Sequence, residues 1–134
     1  MNDLHKFGNN VLHWACHGGD LETVKLIVSW NLLDVNSRGW DSWTPVMEAA
    51  VKGHSDVVEF LVGRGADVSL VDSDGDNVLH CACSGGDLET VKLIVSWNLL
   101  DVNARNNDGR TAVYMARRYG HPRVVKFLVS RGGH

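Results

Sequence analysis

Three cysteines and seven histidines are the residues best able to do chemistry in this 134-residue chain. His80, Cys81 and Cys83, with Cys16 in an equivalent slot, are zinc-ligand types. Side chains two apart on a helix point about 200° from one another, so these would not converge on one ion. Cys16 and Cys83 read instead as small buried apolar residues. Asp72, Asp74 and Asp76 in DSDGDN alternate like a calcium loop. Such a loop needs glycine at its sixth place and a carboxylate at its twelfth; counting from Asp72, those places hold Asn77 and Cys83. The run reads as a solvated loop tip. There is no nucleophile–base–acid order and no GxxxxGK[ST] phosphate loop. The chain is therefore expected to be no enzyme, with no catalytic residue, no metal and no cofactor.

The totals are those of one globular domain, with 44% hydrophobic and 22% charged residues. No apolar run approaches the roughly 20 residues of a membrane span, and Met1–Phe7 is too polar for a secretory signal. Three cysteines cannot all pair, which points to a reducing, intracellular setting, cytoplasmic or nuclear. The net charge of −3 is unevenly spread: residues 1–109 carry 7 basic and 16 acidic groups, and residues 110–134 carry 6 basic and none acidic. Most of the chain would be repelled by phosphates, so nucleic acid is not the expected partner; a role for the basic last quarter in binding it is the weakest reading.

The elements that position these residues repeat. Residues 11–36 and 78–103 differ only at Trp14/Cys81 and His17/Ser84. Weaker copies lie at 44–69 and 111–133, so Asn10, Thr44, Asn77 and Thr111 recur at steps of 34, 33 and 34. Each is an N-cap type before an apolar run, and Pro45 suits a first helical position. The first helix of each unit should end at Gly19, Gly53, Gly86 or Gly120. Asp20 and Asp87 can cap the second, and Pro122 can open it. Leu21, Val24, Ile27 and Val28 form one helical stripe. Leu26, Phe60, Leu93 and Phe127 add a second apolar direction, as a helix with neighbours on two sides requires. The second helix should stop at Gly65, and near Asn31 and Asn98, types that tolerate a left-handed cap.

TPVMEAAVKGHSDVVEFLVGRGADV resembles the ankyrin consensus, and NVLHWAC and NVLHCAC keep its Leu-His-x-Ala. The resemblance covers residues 8–133. It implies an all-α ankyrin-repeat solenoid: stacked antiparallel helix pairs with β-hairpin fingers, in repeats at about 8–41, 42–74, 75–108 and 109–133. It also implies that His13 and His80 bond helix to finger. The fourth repeat reads as a closing cap. The first lacks one, so the chain reads as an excised or engineered segment of a longer array, unless Leu4 and Phe7 fold back as a minimal cap. An exposed opening face centred on Leu21, Val24 and Leu26 would favour weak self-association.

In the ankyrin family partners usually meet the finger tips and the exposed side of the first helices. The matching positions here include Phe7, Trp14, His17, Trp40, Asp41, Trp43, Glu48, Lys52, Asp74, Asp76, Arg110, Arg118 and Tyr119. Clustered tryptophans ringed by acids suit another protein with a basic and apolar patch. Trp43 could equally pack finger against finger. Asn36 and Asn103 resemble the asparagine that is hydroxylated in this family, although a finger hydrogen bond also accounts for them. The implied function is non-catalytic protein–protein interaction; the alternative is an engineered or truncated scaffold with no dedicated partner.

Overall fold

The computed structural model describes residues 10–31 and 33–134. Among them are eight α-helices in four pairs. The pairs are α1 (Val11–Gly18) with α2 (Leu21–Ser29), α3 (Pro45–Val51) with α4 (Ser55–Gly63), α5 (Val78–Gly85) with α6 (Leu88–Ser96), and α7 (Ala112–Arg118) with α8 (Pro122–Ser130). Their ends follow from local chemistry. Asn10 accepts from the His13 N–H, Asn77 from the Leu79 and His80 N–H groups, and Thr111 from the Tyr114 N–H. Asp20 and Asp87 cap α2 and α6 through Thr23 and Thr90. Gly19 and Gly86 turn left-handed to end α1 and α5. Asn31 and Asn98 do the same after α2 and α6, at φ 56° and 55°. Thr44 differs: its buried hydroxyl has no hydrogen-bond partner among the described residues.

Each pair folds back through a short turn, and the pairs stack into two layers. α1, α3, α5 and α7 pack in sequence, as do α2, α4, α6 and α8. Ala49, Ala82 and Ala116 are completely buried where the first-layer helices approach. Leu12, Val46, Val57, Leu61, Val91 and Leu128 fill the space between layers; burying each contributes roughly 1.5–3 kcal/mol. No helix among the described residues is long and apolar enough to cross a membrane.

Two expectations need correction. Among the described residues there is no β-strand, so the fingers are not ladders. Each is a tight turn with a closing backbone bond at the same spacing (Gly39 N–H to the Trp43 carbonyl, Asp72 to Asp76, Asn106 to Arg110) and a second bond inside it, from Ser42 to Gly39, Gly75 to Asp72 and Gly109 to Asn106. The competing acceptor is a side chain. Asp72 Oδ1 takes the N–H groups of Asp74 and Asp76, and Asn106 Oδ1 those of Asp108 and Arg110, which curls the chain into a turn. The opening face is also narrower than expected. Val24 is fully buried, because it lies on the stripe with Ile27 that faces the core; Leu26 and Trp30 stay exposed and Leu21 is half-buried. Phe7 and Leu4 lie outside the described residues.

Neighbouring pairs are joined by three polar staples. His13 and His80 each accept their own N-cap N–H at Nδ1. Their Nε2–H groups donate to the carbonyls of Trp43 (2.9 Å) and Arg110 (3.1 Å) in the next finger. His54 and His121 donate back, at 3.0 Å, to the carbonyls of His17 and Ser84. Asn36 bridges Gly65 and Asp67, and Asn103 bridges Gly132 and His134. All six lie between the first and second pairs or between the third and fourth. At the middle junction the same slots hold Met47, Asp87 and Ser69. There the Trp43 indole N–H donates to Asp72 Oδ2 (2.9 Å), Arg38 donates to the Val71 carbonyl, and Gly85 lies against the Val51 carbonyl.

Gly85→Ala should therefore destabilise the chain by about 1–3 kcal/mol, since a Cβ would fall 2.0 Å from that oxygen. Gly18→Ala, in the same local sequence, meets no described atom within 4 Å and should stabilise by up to about 1 kcal/mol. Urea unfolding of the two variants measures both signs. Burial lifts the Cys16 and Cys83 thiols from 9.0 to about 12, and Cys81 well above its ordinary value. Raised folded-state values mean that this contribution to stability is whole below the unfolded thiol value near pH 8.5 and is lost as pH climbs toward about 12. Thiol labelling at pH 8 should track unfolding, and the urea midpoint should fall between pH 8 and pH 10.5.

Candidate functional site

The groove is built at the junction of the first two pairs. Trp14 and His17 are three residues apart on α1 and share a face; their ring centroids are 6.3 Å apart, edge to face. Glu48, Val51 and Lys52 present the corresponding face of α3. Trp40, Asp41 and Trp43 come from the finger between α2 and α3. These eight side chains line one concavity of about 370 Å³.

The finger is unusual in its backbone. Its tip, Trp40–Ser42, is a single 3-10 turn, with Asp41 and Ser42 at φ 60° and 62°. The matching slots in the later fingers hold Gly75 and Gly109, where Ser42 stands in this one. A left-handed non-glycine residue costs roughly 1–2 kcal/mol. Hydrogen bonds hold it there: Ser73 N–H donates to the Asp41 carbonyl at 3.0 Å and Arg38 to the Ser42 carbonyl at 3.0 Å. The turn carries Trp40 outward, 71% exposed.

Two polar contacts fix the walls. His17 Nδ1–H donates to Glu48 Oε1 at 3.1 Å, tying α1 to α3. The Trp43 indole bond to Asp72 holds that ring between fingers while it still lines the groove. Trp43 thus bonds between fingers and also lines the groove. Beyond the groove, carboxylate oxygens of Asp41, Asp72 and Asp74 lie within 4.8 Å of one another. Asp72 is committed internally, to Trp43 and two backbone N–H groups. The Asp41 charge, then that of Asp72, raises the exposed Asp74 carboxyl above its ordinary value. Burial raises Asp76, against the bond it accepts from Asn106 at 2.8 Å.

Of the positions singled out in the sequence, Trp14, His17, Trp40, Asp41, Trp43, Glu48 and Lys52 come together. Asp74 borders them through Asp41. Asp76 is half-buried in its own finger. Arg110, Arg118 and Tyr119 do not line the groove; Arg110 stacks 4.1 Å from the Tyr114 centroid and Arg118 5.8 Å from that of Tyr119. Phe7 is outside the described residues. Asn36 and Asn103 use both ends of their amides across the junctions. The His17–Glu48 and Trp43–Asp72 bonds escaped sequence reasoning, because their partners are one repeat apart and only stacking makes them neighbours.

Comparison with known proteins finds matches along the chain. A family model described as ankyrin repeats (three copies) matches residues 1–72 and 64–134. A probable palmitoyltransferase, AKR2, of Saccharomyces uvarum is 33% identical over 133 residues, covering 95% of this chain and 18% of its own length. Palmitoyltransferase AKR1 of Saccharomyces cerevisiae is 35% identical over 160 residues, covering 90% and 21%. An ankyrin repeat and KH domain-containing protein of Caenorhabditis briggsae is 32% identical over 128 residues, covering 94% and 5%. The chain spans about a fifth or less of each of these relatives. On the repeat pattern, the stacked helix pairs and these matches, the chain belongs to the ankyrin-repeat family.

Proposed function

We propose that this chain is a non-catalytic protein-interaction module whose partner seats in the tryptophan-lined groove. One observation carries the reading. Segments 11–36 and 78–103 are identical except at two positions, and in the first segment those two residues, Trp14 and His17, both line the groove. In the other copy Cys81 is buried and Ser84 bonds the His80 carbonyl of its own helix. Everything that stacks and caps is shared between the copies; the residues facing the concavity are what differ.

The chemistry of the face fits this role. Trp14 and Trp40 remain 47% and 71% exposed, a large apolar area that a folded chain keeps in water at a cost unless something covers it. Exposed tryptophans are frequent anchors of protein interfaces. Asp41, Asp74 and Glu48 surround them with negative charge, which steers a partner carrying basic and apolar groups. A reducing compartment, cytoplasmic or nuclear, suits three free thiols. The relatives' palmitoyltransferase names belong to proteins about five times longer, and no acyl transfer is assigned to this chain.

The test is partner selection from a displayed peptide or protein library against the whole chain, followed by affinity measurement on a Trp14→Ala, His17→Ser double variant. The third repeat carries Ser at the His17 position and a small residue, Cys81, at the Trp14 position, so the fold should tolerate the change, and loss of the partly exposed His17–Glu48 bond should lower the unfolding midpoint only slightly. The selected partners should bind about 30-fold more weakly, the loss of a hot-spot residue worth roughly 2 kcal/mol. Undiminished binding by the folded double variant would remove the groove as the site.

A further inference from the structure

Resting on that reading, we infer that the groove takes the guanidinium of an arginine side chain presented by the partner. Its walls ask for two properties at once. Three indoles, Trp14, Trp40 and Trp43, give aromatic faces and an apolar lining. Two carboxylates, Asp41 and Glu48, sit among them. Glu48 spends Oε1 on His17, and that bond turns Nδ1 of the one imidazole among the described lining residues away from a ligand.

Ligand classes differ in how they meet that pair of demands. A neutral apolar side chain would cover the indoles and leave the carboxylates desolvated and unpaired, which is costly. A bare lysine ammonium is compact and strongly hydrated, and gives up water reluctantly to an apolar wall. An N-methylated ammonium suits the aromatic faces but has lost donors for the acids. A guanidinium satisfies both, because it is planar, weakly hydrated, stacks on rings and donates in a fork to carboxylate. The chain itself repeats this stacking elsewhere: Arg110 over Tyr114, Arg64 over Phe60 and Arg131 over Phe127, at 4.1, 5.3 and 5.2 Å from the ring centroids. The volume of about 370 Å³ lies at the small end of ligand pockets, room for one long side chain rather than a folded element.

Among the described residues the charges facing the site are Glu48 on α3, Lys52 just after its end, Asp41 in the finger and Asp74 beside it in the next finger. Among the described lining residues Lys52 is the one permanent cation, and it opposes an incoming guanidinium.

The experiment follows indole N–H signals by ¹H–¹⁵N NMR while the whole chain is titrated with capped Gly-Gly-X-Gly-Gly peptides. X is arginine, citrulline (the neutral isostere), lysine or dimethyl-lysine. The arginine peptide should shift the groove indoles and leave Trp97 unmoved, and should bind at least about tenfold more tightly than the citrulline peptide. Asp41→Asn should weaken it by about threefold or more, and Lys52→Ala should strengthen it. Equal binding of arginine and citrulline, tighter binding of lysine or dimethyl-lysine, weaker binding by the Lys52 variant, or no shift at about 5 mM arginine peptide overturns the inference. If selected partners lack arginine but still lose binding with Trp14→Ala and His17→Ser, the interaction module stands and only this assignment falls. Partners indifferent to that double variant sink both.

Discussion

One imidazole, used twice, holds the first two repeats in register. His13 accepts the Asn10 N–H at Nδ1, completing the start of its own helix, and donates from Nε2 to the Trp43 carbonyl of the next finger. Nδ1 also lies 3.0 Å from Asn10 Oδ1. Only a neutral ring with its proton on Nε2 serves both the buried N–H and the finger carbonyl, and His80 shows the same pair without that third contact. An N-cap bond contributes about 0.5–2 kcal/mol and a buried bond to a carbonyl about 0.5–1.5. Those sums are modest. Their importance is geometric, since the ring converts helix position into finger position.

The groove depends on that conversion. Trp43 supplies the carbonyl that His13 grips and an indole that lines the concavity, so one residue connects the staple to the site. His54, gripping the His17 carbonyl, fixes the far end of α1 in the same junction. The groove therefore sits at a junction held by all three kinds of staple, between pairs one and two. The middle junction has a different character among the described residues. Met47 stands in the histidine slot, the Thr44 hydroxyl is buried without a partner among the described residues, and close approach of Gly85 to Val51 stands where the second staple would be. The chain thus reads as two stapled doublets meeting across a surface held by Trp43–Asp72, finger contacts and packing, which matches the 67-residue spacing of its two near-identical odd-numbered repeats.

Local rules made the helices legible. Asn10, Asn77, Asp20, Asp87, Pro45 and Pro122 mark starts through chemistry confined to one turn, and Gly19 and Gly86 mark stops. The histidines were legible only through resemblance, because their carbonyl partners lie 30 or more residues away. Hairpin fingers came from the family pattern, and the described fingers carry no strand: in two of them the Asp72 and Asn106 side chains take N–H groups that a ladder would use, a competition the family pattern does not reveal. Val24 was misread because an apolar stripe does not say which of two neighbours it faces. Seven groove residues were legible as a set, since a stacked repeat places equivalent slots on one face. The left-handed Ser42 was visible only as a missing glycine, and the Asp41–Asp72–Asp74 cluster needed two fingers side by side.

The central claim, that neutral histidine rings bridge helix start to finger, is tested most directly by the ¹⁵N chemical shifts and two-bond couplings of the imidazoles of the folded chain near neutral pH. The account predicts His13 and His80 as single Nε2–H tautomers, with slowly exchanging Nε2 protons coupled across the hydrogen bond to the Trp43 and Arg110 carbonyl carbons. Averaged tautomers, or Nδ1–H rings with freely exchanging protons at Nε2, would contradict it.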